Sequence, residues 1–98
     1  MFVFPSLEES FGMPLAEAMA SGAPVVASQS GATPEIAGEA ALLCDATDPR
    51  KLADAIGRVL DDDELRRSLR CRALARAQAF SWDECAHRTA AVLRQAAA

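Results

Sequence analysis

The first half of this chain lacks positive charge. Residues 1–49 contain no Lys or Arg, and all ten basic residues of the chain lie from Arg50 onward. The formal net charge is −4, and the aromatic residues are one Trp and four Phe, with no Tyr. Nucleic-acid-binding surfaces are basic and interleave basic residues with aromatic ones, so this composition excludes nucleic acid as the expected partner.

Residues that serve catalysis or metal binding are also scarce. His87 is the only His, and no Ser, Cys or carboxylate lies at a recognisable spacing from it. We therefore interpret His87 as a surface residue. The three cysteines are odd in number and lack the spacing of metal ligands. Their number and spacing predict free thiols in a reducing cytoplasm, and no metal site. The cysteines are Cys44, Cys71 and Cys85.

Long hydrophobic runs are missing as well. The sequence shows no signal peptide and no apolar run of membrane-spanning length. Its 98 residues, of which 51% are hydrophobic, suffice for one small globular domain. We therefore expect a cytoplasmic chain without a transmembrane segment.

The N-terminal half alternates short apolar runs with helix signals. Residues 1–4 and 24–27 are apolar without alternation, which is typical of strands buried on both faces. Between them, Pro14 suits the first residue of a helix and Gly22 suits a left-handed C-terminal cap. This pattern predicts a βαβ unit with a right-handed crossover. Ligands of such sheets bind at the carboxyl ends of the strands.

Two carboxylates flank the predicted turn between the first strand and the helix. Glu9 lies in the turn, and we expect Glu17 in the first helical turn, where the helix dipole favours a carboxylate. Free backbone N–H groups at such a turn bind anions and hydroxyls, and carboxylates accept hydrogen bonds from hydroxyls. The arrangement suits a sugar nucleotide. A single Glu at a helix start is more often a dipole or capping residue, so the interpretation depends on the joint pattern.

That joint pattern resembles the signature of the retaining, GT-B-fold glycosyltransferases called group 1 or family 4. The signature has two Glu separated by seven residues around a Phe-Gly-hydrophobic-Pro turn, followed by Glu-Ala-Met-Ala-x-Gly-x-Pro-Val, as here. Residues 30–36 are similar to the Gly-Gly-x-x-Glu segment of the family, with Ala32 at the second Gly. Residues 80–82 are similar to the phrase before its last helices. The signature residues are Glu9, Phe11, Gly12, Met13, Pro14, Glu17, Ala18, Met19, Ala20, Gly22, Pro24 and Val25.

The resemblance implies a fold and a set of roles. It implies an α/β fold, a Rossmann-like parallel sheet with flanking helices that forms the C-terminal portion of a GT-B donor domain. Glu9, which we assign to catalysis, would lie beside the donor sugar and bond its hydroxyls. Glu17 would hold the ribose hydroxyls, and the backbone N–H groups of Phe11, Gly12 and Met13 would meet the sugar and the pyrophosphate. The family is typically metal-independent, so we expect no cofactor and no metal. Retention of configuration can proceed through a covalent intermediate or through departure and attack on the same face of the sugar, so we do not assign Glu9 as a nucleophile.

We predict that residues 1–98 form a partial nucleotide-sugar-binding domain. Residues 1–47 would be the βαβ donor-site half, and residues 48–98 would be C-terminal helices. The function would be transfer of a sugar from a nucleotide-sugar donor to an unknown acceptor. In the family, an Arg and a Lys from earlier in the domain face the phosphates, and the first half of this sequence supplies neither. We therefore expect a fragment, a truncated gene product, or one half of a split enzyme whose acceptor domain is a separate chain, and we expect it to be inactive alone. The alternative is a non-catalytic remnant or interaction module that kept the signature.

The remaining segments predict supporting elements. Residues 41–44 suit a short edge strand, Asp48 with Pro49 suits the start of a helix, and residues 61–63 suit a linker and cap. Thr33 suits the N-cap of a short helix, in which Glu35 either has a capping role or contacts the donor. Ser81 and Glu84 suit a capping box for the last helix. The apolar stripes are predicted at Leu52, Ile56, Val59 and Leu60, and at Leu65, Leu69 and Leu74. The Arg-rich pattern at Arg66, Arg67, Arg70, Arg72 and Arg76 is interpreted as a solvated face.

Overall fold

The structure, a computed structural model, describes residues 1–7, 12–80 and 82–97. These residues form three strands and five helices in the order β1, α1, β2, α2, β3, α3, α4, α5. The strands are β1 Phe2–Phe4, β2 Val25–Ser28 and β3 Ala41–Cys44. The helices are α1 Met13–Ala20, α2 Thr33–Ala37, α3 Pro49–Asp61, α4 Asp63–Ala77 and α5 Trp82–Ala97.

The three strands form one parallel sheet in the order β1-β2-β3. Ala27 lies opposite Phe4 on one side and Leu43 on the other. This topology confirms the predicted parallel pairing and the short edge strand over residues 41–44. Because parallel strands point the same way, their carboxyl ends, and the loops that lead into α1, α2 and α3, meet at one edge.

Both faces of the central strand are covered. Val25 and Ala27 belong to one buried cluster, which Leu15 of α1 and residues of α2 complete. Val26 belongs to a second cluster, which includes Val59 of α3. Successive side chains of a strand point to opposite faces, so α1 and α2 lie on one face of the sheet and α3 lies on the other.

Helix α4 joins the two clusters. Its Leu69 is buried in the cluster that contains α3, and its Ala73 is buried in the cluster that contains α1. The predicted stripes were partly wrong, because Leu60 is 58% exposed and Leu74 is 39% exposed. Ala55 and Ala73 are buried instead, since small side chains let the helices approach the sheet closely.

The predicted caps of α3 and α4 are confirmed. Asp48 accepts a hydrogen bond from the backbone N–H of Arg50 at 2.9 Å, and Asp62 accepts one from Leu65 at 3.0 Å. Gly22, at φ 76°, adopts the left-handed conformation predicted after α1. Ser81 lies outside the described residues, so the capping box of α5 stays a prediction.

The expectation for Thr33 was wrong. It is the first residue of α2 rather than its N-cap, which is Ala32. The hydroxyl of Thr33 is buried and has no hydrogen-bond partner among the described residues. Since it accepts no hydrogen bond from a described backbone N–H of the helix start, the Thr33 hydroxyl does not cap α2.

The Arg-rich pattern of α4 is not wholly a solvated face. Arg76 donates from Nε to the carbonyl of Ile36 at 2.9 Å and from a terminal nitrogen to the carbonyl of Glu35 at 2.7 Å. Its guanidinium also lies 5.2 Å from the centre of the Phe80 ring. Arg66 likewise donates to the carbonyl of Val59 at 2.8 Å. The last carbonyls of a helix have no partner within it, and these two arginines supply partners for α2 and α3.

Helix α5 is the least packed element. Most of its residues are exposed, including Val92 at 63% and Leu93 at 64%. The molecule measures 55 × 26 × 16 Å along its principal axes. Within the described residues, no helix is both long and apolar enough to cross a membrane.

Candidate functional site

The helix start after β1 is built around Gly12. Gly12 has φ 78° and ψ 59°, a left-handed conformation that strains any residue with a side chain. Its carbonyl accepts the first helical hydrogen bonds, from Leu15 at 3.0 Å and Ala16 at 3.2 Å. The N–H of Met13 has no acceptor among the described residues, and Pro14 has no N–H. A partner for the N–H of Met13 would therefore come from a ligand or from residues outside the described ranges.

Glu17 lies on the same helix but not where we expected it. Helix α1 begins at Met13, so Glu17 is its fifth residue and the first turn contains no acidic residue. The expectation of a first-turn carboxylate was therefore wrong, because the helix starts one residue before Pro14. The helix dipole acts mainly on charges in the first turn, so a favourable interaction with the dipole is a weak explanation for a Glu at position 17. The side chain is exposed and free to meet a ligand.

Glu9 and Phe11 lie outside the described residues, as do Glu8 and Ser10. Of the predicted site residues, the described structure places Gly12, Met13 and Glu17, all on or beside α1. The roles of Glu9 and Phe11 stay predictions that depend on the resemblance.

The loop after β2 forms a second turn at the carboxyl edge. Ser28, at the end of β2, accepts a hydrogen bond from the backbone N–H of Ser30 at 3.1 Å. Gly31 has φ 64°, whereas Ala32 has φ −81° and ψ −5°. Only the first position of the Gly-Gly pair therefore needs a glycine, and Ala32 is accommodated without strain.

The loop after β3 carries its own hydrogen bonds. Asp45 accepts a bond from the Thr47 hydroxyl and one from the Thr47 backbone N–H at 3.0 Å. These bonds, the hydroxyl first, lower the pKa of Asp45, with a smaller contribution from the charge of Lys51. Lys51 and Arg50 lie in the first turn of α3, on the face of the sheet opposite α1. They do not line the cavity that contains Glu17.

That cavity lies between α1, the turn after α4, and the first half of α5. It has a volume of about 490 Å³, within the range of small-molecule sites, roughly 300–1,000 Å³. Its wall includes Met13 and Glu17 of α1, the Phe80 ring, and Glu84 and Arg88 of α5. Most of the wall is apolar, with a few charged groups, as expected of a site for an organic ligand.

Arg88 is the lining residue that sequence reasoning missed. Its Nε donates to Glu84 at 2.9 Å, an ion pair between residues one helical turn apart. That spacing is visible in the sequence, but the approach of α5 to α1 is not. Over the described part of the chain, no three His, Cys, Asp or Glu side chains cluster as metal ligands would.

The sequence matches the family described as "Glycosyl transferases group 1" over residues 1–76. The chain belongs to this family. The resemblance seen in the sequence is thereby confirmed.

Individual glycosyltransferases are similar along almost the whole chain. O-antigen chain mannosyltransferase B of Escherichia coli is 42% identical over 88 residues, which cover 90% of this chain and 23% of that protein. D-inositol 3-phosphate glycosyltransferase of a Nocardioides species is 45% identical over 96% of this chain and 21% of its own length. The chain thus spans about a fifth to a quarter of these relatives.

A solved structure supports the fold. Sucrose-phosphate synthase from Thermosynechococcus elongatus superposes with a TM-score of 0.88 at 39% sequence identity. The match covers 98% of this chain and 25% of that one. The parallel sheet with flanking helices is therefore a Rossmann-like piece of the GT-B fold, as predicted.

Proposed function

We propose that this chain is the donor-binding part of a retaining glycosyltransferase that moves a sugar from a nucleotide-sugar donor to an acceptor. Membership of the family supports the reaction class. The observation that carries the donor site is the exposed Glu17 carboxylate, which lines a ligand-sized cavity together with Met13 at the helix start. A carboxylate accepts hydrogen bonds from ribose hydroxyls, and N–H groups donate to phosphate or sugar oxygens.

Each proposed group has a distinct task in the transfer. When the bond between the sugar and the diphosphate breaks, negative charge grows on the leaving phosphate and positive charge grows on the sugar. N–H groups of Phe11, Gly12 and Met13 would stabilise the leaving oxygens, as donors fixed in advance do in other enzymes. Glu9 would orient the sugar hydroxyls and face the growing positive charge. No metal is assigned a role.

Donor binding tests the proposal directly on the 98-residue chain. Nucleotide sugars, titrated by NMR, should perturb the amides of Met13 and Glu17. We expect dissociation constants of about 1 mM or weaker, since exposed contacts contribute little. Glu17→Gln should weaken binding, whereas Glu64→Gln, a control at an exposed Glu outside the cavity lining, should not. Equal affinity of both variants would contradict the role of Glu17.

Turnover can be tested in a chimera. This chain would replace the matching 23% of the E. coli O-antigen mannosyltransferase B. Losing one charged hydrogen bond typically costs about 1.5–3 kcal/mol, roughly ten- to more than a hundred-fold. Glu17→Gln should act mainly on the donor KM, and Glu9→Gln mainly on kcat. Activity should survive EDTA.

The alternative is a non-catalytic interaction module. The exposed apolar residues of α5, Val92 and Leu93, favour it, because they offer a contact surface without chemistry. Under this alternative, the chimera folds but is inactive, and neither Glu9→Gln nor Glu17→Gln changes anything that can be measured.

A further inference from the structure

We infer that Arg76 of α4 is a positioning residue for the candidate donor site, because it holds the Phe80 wall of the cavity and the end of α2 in one arrangement. The inference rests on the proposed function, since the same cavity contains Glu17. Arg76 is not among the described residues that line the cavity. It would therefore act on a bound donor through Phe80 rather than by touching the donor.

The guanidinium of Arg76 contacts two elements at once. Its Nε donates to the carbonyl of Ile36 at 2.9 Å, and a terminal nitrogen donates to the carbonyl of Glu35 at 2.7 Å. Its central carbon lies 5.2 Å from the centre of the Phe80 ring, within the roughly 6 Å at which an aromatic face attracts a cation. A guanidinium is planar and donates in fixed directions. The three contacts therefore fix the end of α2 and the Phe80 ring relative to each other.

The fit between Arg76 and the end of α2 is close. Gly38, with φ 56°, follows α2, and a Cβ atom added there would lie 3.4 Å from Nε of Arg76. The Arg76 side chain thus packs directly against the backbone at Gly38. One turn earlier on α4, Arg72 donates to the carbonyl of Glu39 at 3.4 Å. Residues one turn apart share a helix face, so one face of α4 holds the segment after α2 in two places.

Helix α2 is too short to be stable by itself. It has five residues, fewer than an isolated helix needs. It follows the loop after β2, at the carboxyl edge where ligands of parallel sheets bind. Helix α4, by contrast, is anchored by Leu69 and Ala73, which are buried against the sheet and its helices. Arg76 thus ties a short element at the carboxyl edge to a firmly packed one.

The Phe80 ring carries this constraint to the cavity. It lines the cavity together with Met13 and Glu17, and it packs against the buried cluster that contains Leu15. The turn in front of the ring is closed, because the N–H of Phe80 donates to the carbonyl of Ala77 at 3.0 Å. A preformed site binds more tightly than one that the ligand must order. Loss of the Arg76 contact should therefore weaken binding in the cavity.

Arg66 provides a comparison within the same helix. It also donates to a carbonyl near the end of another helix, that of Val59 in α3 at 2.8 Å. It is not among the described residues that line the cavity, and neither is Val59. If both arginines only support the fold, their loss should affect ligand binding alike. A positioning role predicts that the loss of Arg76 alone affects it.

The experiment is a titration of the ¹⁵N-labelled 98-residue chain with UDP-glucose and GDP-mannose at low salt. It is done at a temperature at which circular dichroism shows every variant to be folded. Arg76→Leu should raise the dissociation constant by roughly two- to tenfold, the size typical of residues that act through packed neighbours. Arg76→Lys, which keeps the charge but not the two-pronged geometry, should raise it less. Arg66→Leu, the matched control, should leave it unchanged although it also lowers stability.

A double-mutant comparison tests whether Arg76 acts through Phe80. Phe80→Leu keeps an apolar wall but removes the ring that the guanidinium contacts. In the Phe80→Leu chain, Arg76→Leu should change the dissociation constant by less than about twofold, because the contact that carries its effect is already missing. It should still lower stability there, since the bonds to α2 are lost as before. A residue that only supports the fold would not separate affinity from stability in this way.

The outcomes separate this inference from the proposed function. If Glu17→Gln weakens binding but Arg76→Leu behaves like Arg66→Leu, Arg76 does not position the site and the proposed donor site stands. The inference also fails if Arg76→Leu weakens binding equally with and without the Phe80 ring. If Arg76→Leu weakens binding through the ring and Glu17→Gln does not, Arg76 shapes the cavity but Glu17 does not hold the donor. If neither nucleotide sugar binds, both are overturned.

Discussion

Helices α4 and α5 are alike in length and in some of their residues but differ in how they pack. They have 15 and 16 residues, and both carry Arg and a free thiol. Helix α4 buries Leu69 and Ala73 against the sheet and its helices. Helix α5 leaves Val92 and Leu93 more than 60% exposed. The comparison separates a helix that builds the fold from one whose surface is available for contacts.

The arginines of the two helices follow the same division. Arg76 of α4 bonds to carbonyls of α2, about forty residues away in sequence, and lies over Phe80. Among the described residues, Arg88 of α5 bonds only to Glu84 on its own helix, and it lines a cavity. An Arg that completes the end of another helix is structural, whereas an exposed Arg on a cavity wall can bind a ligand.

The largest expected effect on stability comes from a comparison of Leu69 of α4 with Leu93 of α5. Leu69→Ala should lower the free energy of unfolding by about 2–5 kcal/mol, because Leu69 is only 1% exposed and its loss leaves a cavity. Leu93→Ala should change it by less than about 0.5 kcal/mol, since Leu93 is 64% exposed. Urea unfolding of the chain measures both. Similar losses in the two variants would show that α5 packs as firmly as α4.

The second expected effect concerns the arginines. Arg76→Leu should lower the free energy of unfolding by about 1–2 kcal/mol, because two carbonyls of α2 lose their charged donors. The loss is moderate because one of the two hydrogen bonds is exposed to water. Arg94→Leu should change it little. Arg76→Lys keeps the charge but not the two-pronged geometry, and should lie between Arg76→Leu and the wild type. If Arg76→Lys were as stable as the wild type, charge alone would explain the contact.

The sequence predictions were most accurate for interactions between residues that are close in sequence, and least accurate for contacts between side chains of distant elements. The cap at Asp48 was predicted correctly, and the cap of α4 falls at Asp62, within the predicted segment 61–63, because an N-cap is decided by residues two or three positions away. The pairing of the strands was predicted from their buried character and the helix between them. The bonds of Arg76 and the burial of Ala73 depend on elements distant in sequence, and no local pattern reveals them.

The same holds for the candidate site. The signature identified Gly12, Met13 and Glu17 before the structure placed them around the start of α1. Arg88 was not singled out from the sequence, because its place on the cavity wall depends on how α5 lies against α1. The turn that contains Glu9 lies outside the described residues, so the catalytic assignment still depends on the family.

The smallest expected effect concerns the thiols. Cys71 of α4 and Cys85 of α5 are exposed, whereas Cys44 at the end of β3 is buried. Burial, and then the nearby charge of Asp45, raises the pKa of the Cys44 thiol above its ordinary value of 9.0. In the unfolded chain the thiol ionises near pH 9, but in the folded chain it stays protonated to higher pH. The stability that comes from Cys44 is therefore full below about pH 9 and is lost as the pH rises through the folded-state pKa.

Unfolding of the wild-type chain and of Cys44→Ala between pH 7 and pH 10 measures this effect, because the other titrating groups cancel in the difference. Cys44→Ala should be the less stable protein at pH 7, since it removes a buried side chain. The gap should narrow above about pH 9. A gap that widens would show that folding lowers the thiol pKa instead, and a gap that stays constant would show that the Cys44 thiolate meets water as freely in the folded chain as in the unfolded one. The end of β3 would then be as open as the surface of α5.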